Sequence, residues 1–225
     1  MVHAIKTIVA NCKVCIIERG QRYHIPDSPP LPSFRFNYDQ PFLTTCVDMT
    51  GHFYIKDAAN NAVKVYLIIF LCASTRCGHG EIVPDASTEA FANALDRFIS
   101  RKGAPKLIIS DQGSNFKGFS HELQEISNNI IIKDALKVKG MEWHWTPIGG
   151  PHFNGLVERQ IGIIKSVIRK TINKKVLSFD QFSTVVAYAE GIFNERPLCP
   201  MIDDEDYVPI TPNMLVYGHN LRHFN

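Results

Sequence analysis

Gly103-Ala104-Pro105-Lys106-Leu107-Ile108-Ile109-Ser110-Asp111-Gln112-Gly113-Ser114-Asn115 is the stretch on which the fold turns. It reads as a helix stop (Gly103, then Pro105), a short apolar strand over Lys106–Ser110, and an acid just past the strand end, with a turn composition after it. Immediately upstream, Ser87 or Thr88 caps a helix that runs to about Lys102, with Phe91, Leu95, Phe98 and Ile99 at helical spacing. A helix followed by a short buried strand is the repeating unit of an α/β domain.

Working outward toward the N-terminus, Glu81-Ile82-Val83 reads as a short strand and Val63–Leu71 as a longer one rich in β-branched and aromatic residues. Leu43–Met49 alternates as a strand ending near Gly51, and the Asp-Ala-Ala-Asn-Asn of residues 57–61 gives the turn between the two long strands. Residues 1–36 read as irregular: Cys12 and Cys15 stand early, and Pro26, Pro29, Pro30 and Pro32 mark an extended linker. Toward the C-terminus, His121–Asn128 is expected to be helical and Met141–Trp145 a strand with Trp143 and Trp145 on one face. Gly149–Gly155 has the composition of a flexible loop. A long helix is expected from about Gly155 to Ile172, and another from Phe179 to Asn194 capped by Ser178, with the stripe Phe182, Val186, Ala189 and Phe193. Strands first, then alternation, then helices describe an α/β domain with a mixed sheet.

Bulk composition agrees. The 225 residues are 45% hydrophobic and 20% charged, the balance of a chain with one ordinary core. Net charge is +2, but it is segregated: six basic residues and no acid lie between Arg159 and Lys175, and four acids run from Asp203 to Asp206. The basic run suits either a solvated face or phosphate contacts. The longest apolar run, Val65–Ala73, is too short to span a bilayer and fits a buried strand. With no recognisable secretory leader, the chain reads as soluble and intracellular, and its six cysteines as reduced thiols.

Three acids stand at positions where a sheet edge can gather them. Asp48 lies in or at the end of the first strand, Asp111 follows a short strand, and Glu158 lies in the first turn of the long helix. Singly, each has an ordinary explanation as a surface residue, an Asx-turn or a helix-dipole partner. Helical geometry makes the third more telling. At 100° per residue Glu158, Gly162, Lys165 and Arg169 share one narrow strip, beside the apolar stripe Val157, Ile161, Ile164, Ile168 and Ile172. A carboxylate with cations above it suits a metal site next to phosphate-binding residues; a solvated ion-pair face is the plainer reading.

Read in series, Val47-Asp48-Met49-Thr50-Gly51, Ser110–Phe116, and Pro151–Arg159 with Lys165 resemble the three motif blocks of a retroelement integrase catalytic core. Cys72-Ala73-Ser74-Thr75-Arg76 with His79 and Glu81, Arg97-Phe98-Ile99 followed by Gly103-Ala104-Pro105, and Asn194-Glu195-Arg196-Pro197-Leu198 followed by Thr211-Pro212 are similar to BEL/Pao-type LTR retrotransposons. The blocks cover nearly the whole chain, in order.

The resemblance implies an RNase H-like fold, with a central mixed five-stranded sheet flanked by helices. It implies a remnant of a zinc-binding region and a linker over 1–36, the catalytic core over 37–200, and a tail over 201–225. It implies a DDE-type polynucleotidyl transferase that processes DNA 3′ ends and joins them to target DNA, with Asp48, Asp111 and Glu158 holding two Mg²⁺ or Mn²⁺ ions. Asn154, Arg159, Lys165 and Arg169 become the expected DNA contacts, element ends and target DNA the partners, and the nucleus the location. Homo-oligomers are expected, with Ile163 and Val167 either serving a dimer face or packing on the last helix.

Cys12 and Cys15 look like half of the zinc site that precedes such cores, but only His3 stands upstream of them, so zinc is not expected. His79 and Glu81 are expected to be structural. Two other classes compete: a catalytically inactive DNA- or chromatin-binding protein co-opted from an integrase, and a nuclease on the same fold. The second needs a fourth acid that the sequence does not offer in a matching place.

Overall fold

The computed structural model describes residues 40–111, 125–146, 151–172, 175–199 and 208–221, with Thr7 and Asn11; of Asp111, Thr146 and residues 151–158 it describes the backbone alone. The expectations for Cys12, Cys15, the proline-rich stretch, His121 and the turn after Asp111 lie outside these residues. By compactness the chain divides into residues 1–30 and 31–225, and all the strands and helices named below belong to the second unit.

Six strands are described: β1 (Thr44–Lys56), β2 (Ala62–Cys72), β3 (Gly78–Val83), β4 (Leu107–Asp111), β5 (Glu142–Thr146) and β6 (Leu177–Ser178). The sheet order is β3-β2-β1-β4-β5, with β6 alongside β1. β1–β2 and β2–β3 are antiparallel; β1–β4, β4–β5 and β1–β6 are parallel. The expected mixed sheet is therefore present. Five helices with stated bounds accompany it among the described residues: α1 (Thr88–Lys102), α2 (Ile130–Val138), α3 (Pro151–Ile172), α4 (Phe179–Asn194) and α5 (Pro212–Tyr217). Residues 125–128, the described part of the helix expected over His121–Asn128, are helical as well.

Period-two alternation divides the interior into two cores. Val47 and Met49 of β1, with Ile68 and Phe70 of β2, face a cluster that includes Phe91 and Phe98 of α1 and Ile132 and Leu136 of α2. Cys46 and Ile55 of β1, with Leu67, Ile69 and Leu71 of β2, face Ile161, Ile164 and Ile168 of α3 and Phe182 and Val186 of α4. β2 is buried on both faces, which is why its sequence is a near-continuous apolar run rather than an alternating one.

Two expectations need correcting, and one element is not foreseen. β1 does not end near Gly51; it continues to Lys56 through an irregularity between Thr50 and Phe53, where the register with β2 shifts. Gly51 thus belongs to a bulged strand, because the pairing with β2 carries the chain past it. The long helix begins at Pro151, not Gly155. Proline is tolerated in a first turn, where its missing N–H has no partner to lose, and this outweighs the loop-like composition of 149–155. The unforeseen element is α2, a helix that the sequence does not announce. Asn129 caps it by accepting from the Ile131 N–H, and Ile132 and Leu136 bury one narrow face. Its β-branched start, Ile130-Ile131-Ile132, hides it.

Helix ends otherwise follow local chemistry. Ser87 accepts from the Ala90 N–H and caps α1. Ser178 and Gln181 form a capping box on α4, each side chain satisfying the other's backbone N–H. Of the two roles open to Ile163 and Val167, the structure shows packing: both are half-buried against the second core within the chain itself.

Beyond Pro200, α5 is tied back onto the sheet unit. Leu198 N–H donates to the Ile210 carbonyl at 2.8 Å, and Glu195 Oε1 accepts from Asn213 Nδ2 and from the Leu221 N–H. Val216 packs against the first core.

β3 is the sheet edge on which α4 lies, and it carries Gly78 and Gly80 on the α4 face. A Cβ at Gly78 would meet Phe193 Cε1 at 2.9 Å and Ile164 Cδ1 at 3.1 Å. Gly78→Val is expected to lower stability by about 1–3 kcal/mol through overpacking, read as a fall in urea midpoint at unchanged m-value.

Candidate functional site

The site is set by the parallel ladder between β1 and β4. That register pairs Val47 with Ser110, and one residue further on the two strands stand Asp48 and Asp111. Asp111 is the last residue of β4 and pairs in the ladder with Thr146 of β5. Two acids 63 positions apart in sequence thus reach neighbouring points where the parallel pairing of β1 with β4 ends. This is the side of an open α/β sheet on which ligands bind.

α3 crosses the same face. Ile161, Ile164 and Ile168 seat it on the second core. That burial fixes which side of the helix meets β1: the Lys165 Nζ reaches Asp48 Oδ2 at 3.0 Å, an ion pair in which the lysine is 24% and the aspartate 32% exposed. Lys165 is the expected member of this strip, and its contact with Asp48 is the direct link between α3 and the strand acids. Glu158 lies two turns before Lys165 on the same helix, and Asn154 one turn before Glu158. The side chains of Asp111, Asn154 and Glu158 lie outside the described residues, as does that of His152. Arg159 and Arg169 are exposed on α3.

A divalent cation would need carboxylates that are partly solvated and able to shed their present partner. Asp48 fits in being partly exposed and in pairing through its carboxylate with a positive charge, the Lys165 ammonium. Among the residues with described side chains no group of three or more His, Cys, Asp or Glu is placed to hold a metal. Asp111 and Glu158 are not in that set.

Sequence reasoning largely misses a second constellation, singling out His79 and Glu81 without their partners. His79 is buried on β3 with a carboxylate at each ring nitrogen: Glu190 Oε2 at 3.0 Å from Nδ1 and Glu81 Oε1 at 2.9 Å from Nε2. A ring facing two carboxylates can donate from both nitrogens only as an imidazolium, the form this geometry favours. Burial by itself would lower its pKa, but the hydrogen bonds to Glu190 and Glu81 outweigh burial and raise it above 6.5. Burial pushes Glu81 up, yet its hydrogen bonds from His79 and Arg97 hold it below 4.5. Arg97 Nε donates to Glu81 Oε2 at 2.6 Å, and Arg101 also pairs with Glu81.

Glu190 does more than hold His79. Its Oε2 also accepts from the Gly80 N–H. Asn194 takes both backbone groups of Gly78, donating to the carbonyl and accepting from the N–H, each at 2.8 Å. Arg97 Nη2 donates to the Ile82 carbonyl. Four outward backbone groups of β3, the N–H and carbonyl of Gly78, the Gly80 N–H and the Ile82 carbonyl, are thus occupied by side chains of α4 and α1. This closes the sheet edge to strand addition and explains why these polar residues are structural.

Arg196 plays a similar part after α4. It donates to the Phe193 and Arg76 carbonyls and to Gln160 on α3, and stacks 3.6 Å over the Phe193 ring. Burial, and next the nearby Arg76, lower its pKa to about 10. Cys77 beside it is pushed up to about 12 by burial, which makes it an inert thiol. Cys46, Cys72 and Cys199 form no disulfide among the described residues. Trp143 packs on Phe91, stacks on Trp145 and donates to Ser110 Oγ, a core role.

No family model matches this sequence, and no curated protein matches it. Solved structures do share its fold. A chain of the simian T-cell lymphotropic virus intasome in complex with the PP2A regulatory subunit B56 gamma superimposes with a TM-score of 0.59 at 18% identity, over 99% of this chain and 69% of that one. The HTLV-2 integrase catalytic core domain in complex with magnesium matches in its dimeric form with a TM-score of 0.53 and in its trimeric form with 0.54. Both are 17% identical, over 79% of this chain and 98% of theirs. The chain has the mixed α/β, RNase H-like fold of retroviral integrase catalytic cores.

Proposed function

We propose that this chain is an integrase catalytic core, a metal-dependent polynucleotidyl transferase that trims DNA 3′ ends and joins them to target DNA. One observation carries the reading: Asp48 and Asp111 stand side by side where β1 and β4 run parallel, and α3 delivers Lys165 onto Asp48 with Glu158 two turns away on the same helix. This arrangement supports reading the three motif blocks of the sequence as parts of one site, in a fold shared with integrase cores.

In this proposal Asp48, Asp111 and Glu158 hold Mg²⁺ or Mn²⁺. When bound, such an ion would supply Lewis-acid stabilisation of the attacking and leaving oxygens of an in-line displacement. The chain's own residues do the rest. The sheet fixes the backbone of Asp48 and Asp111, and the buried stripe of α3 fixes the axis of the helix that carries Glu158, so these backbone positions are set before any substrate binds. Lys165 and Arg169, one above the other, and the exposed Arg159 contact the phosphate backbone, with Asn154 near the helix start. Such contacts make DNA binding fall with rising salt. A nuclear location and a homo-oligomeric working state belong to the same proposal. The HTLV-2 core's dimeric and trimeric forms support the oligomer by analogy, and its magnesium complex supports the metal.

The finer kinship proposed is with BEL/Pao-type LTR retrotransposons. Among the residues that carry it, His79, Glu81, Arg97 and Asn194 join β3 to α1 and α4, and Arg196 holds the Arg76 carbonyl.

The test is a disintegration assay: a branched DNA that mimics the joined product, incubated with the protein and Mn²⁺ or Mg²⁺. Metal-dependent resolution of the branch is expected, and Glu158→Gln should abolish it. A folded protein that binds the DNA but resolves none of it would overturn the enzymatic reading in favour of a co-opted binding protein.

A further inference from the structure

We infer that Lys165 is a built-in competitor of the catalytic metal: its ammonium occupies the cation position on Asp48 and must leave before a divalent ion can bind there. The inference rests on the reading of Asp48 as a metal ligand. The observation is the 3.0 Å contact between Lys165 Nζ and Asp48 Oδ2, in a pair that is neither fully buried nor fully solvated.

The backbone on both sides of this contact is fixed. Asp48 lies in the middle of β1, laddered to Ile69 of β2, and α3 is seated by Ile161, Ile164 and Ile168. The lysine side chain is the part that can move. A lysine suits such a part better than an arginine would. Its charge is a compact point on four flexible methylenes with three rotatable donors, so it can hold one carboxylate oxygen, release it and take up another anion within reach. An arginine would grip the carboxylate in a two-toothed, planar fashion.

Two states result. Without metal, Lys165 neutralises Asp48. With metal, the ion takes the carboxylate, and the displaced ammonium, repelled by a like charge, is driven outward toward the phosphate of a bound strand. Metal loading and DNA engagement are thereby coupled through one side chain. DNA that accepts the ammonium should favour metal binding, and metal should favour DNA contact, each by the same factor.

The experiment is a Mn²⁺ titration of the DNA-free protein, followed by calorimetry and by the electron paramagnetic resonance signal of free Mn²⁺. Wild type is compared with Lys165→Met, which keeps the apolar stem and removes the charge, and with Asp48→Asn. Losing a partly exposed ion pair and a like-charge repulsion together should tighten Mn²⁺ binding in Lys165→Met by roughly tenfold. Asp48→Asn should lose that binding. Lys165→Gln serves the same purpose should the methionine variant not fold. An increase in melting temperature on adding Mn²⁺ that is larger in Lys165→Met than in wild type is the matching expectation. If Mn²⁺ binding depends on Asp48 but is no tighter in either Lys165 variant, the inference fails and the metal site stands. If no variant shows Asp48-dependent Mn²⁺ binding, both fail.

Discussion

Asp48→Asn is expected to reduce branch resolution by at least about a hundredfold while leaving the protein folded. A metal ion contributes several kcal/mol of transition-state charge stabilisation, and each 1.36 kcal/mol is about tenfold in rate, so if Asp48 is a metal ligand as proposed, its loss removes most of the catalysis. The fold should tolerate the change. Asp48 is a third exposed, its ion pair with Lys165 is a partly solvated one worth about 0–1 kcal/mol, and an amide of the same shape still accepts from the ammonium. The check is a single-turnover disintegration rate beside a thermal melt. Equal rates for wild type and Asp48→Asn would remove Asp48 from the chemistry. A rate that falls in step with the folded fraction would make its role one of stability alone.

Glu81→Gln is expected to cost about 3 kcal/mol of folding stability with little direct effect on chemistry. Glu81 and His79 are both buried, at 4% and 7% exposure, and removing Glu81 strips the buried His79 of one of its two carboxylate partners, leaving Glu190 alone beside it. The value belongs at the lower end of the usual range of about 3–5 kcal/mol because the arginines are 41% and 54% exposed and can return to water. The pH dependence has a definite sign. His79 has a raised folded pKa, so its contribution is complete below 6.5 and is lost as pH rises through the folded value. Glu81 has a lowered one, so its contribution is present above 4.5 and is lost as pH falls through the folded value. Stability from this network is greatest between about pH 4.5 and 6.5, and wild type should lose urea resistance above that window more steeply than Glu81→Gln. Parallel curves for the two proteins would show that His79 is not held as an imidazolium.

Some elements of the fold can be read in the letters and others cannot. α1 and α4 are legible with their caps, because Ser87 and Ser178 act on N–H groups three residues away and the apolar stripes repeat every turn. β2 is legible because a double-sided burial leaves an apolar run. α2 is not, since three consecutive isoleucines favour a strand locally and only its seat beside Met141 and β5 makes the segment a helix. Nor is the start of α3, where loop-like glycines and a proline give a composition that a helix N-terminus can also use.

For the candidate site, the letters alone supply the inventory: Asp48 in a strand, Asp111 at a strand end, and Glu158, Lys165 and Arg169 on one strip of a helix. These placements come from periodicities of about two and 3.6 residues, which are local. It takes the folded chain to settle that Lys165 rests on Asp48, that Glu190 reaches round the edge of β3 to His79, and that Asn194 and Arg97 cap that edge. Those contacts span 15 to 117 positions. They arise from sheet register and from which side of each helix is buried, and neither is encoded in any single stretch of the chain.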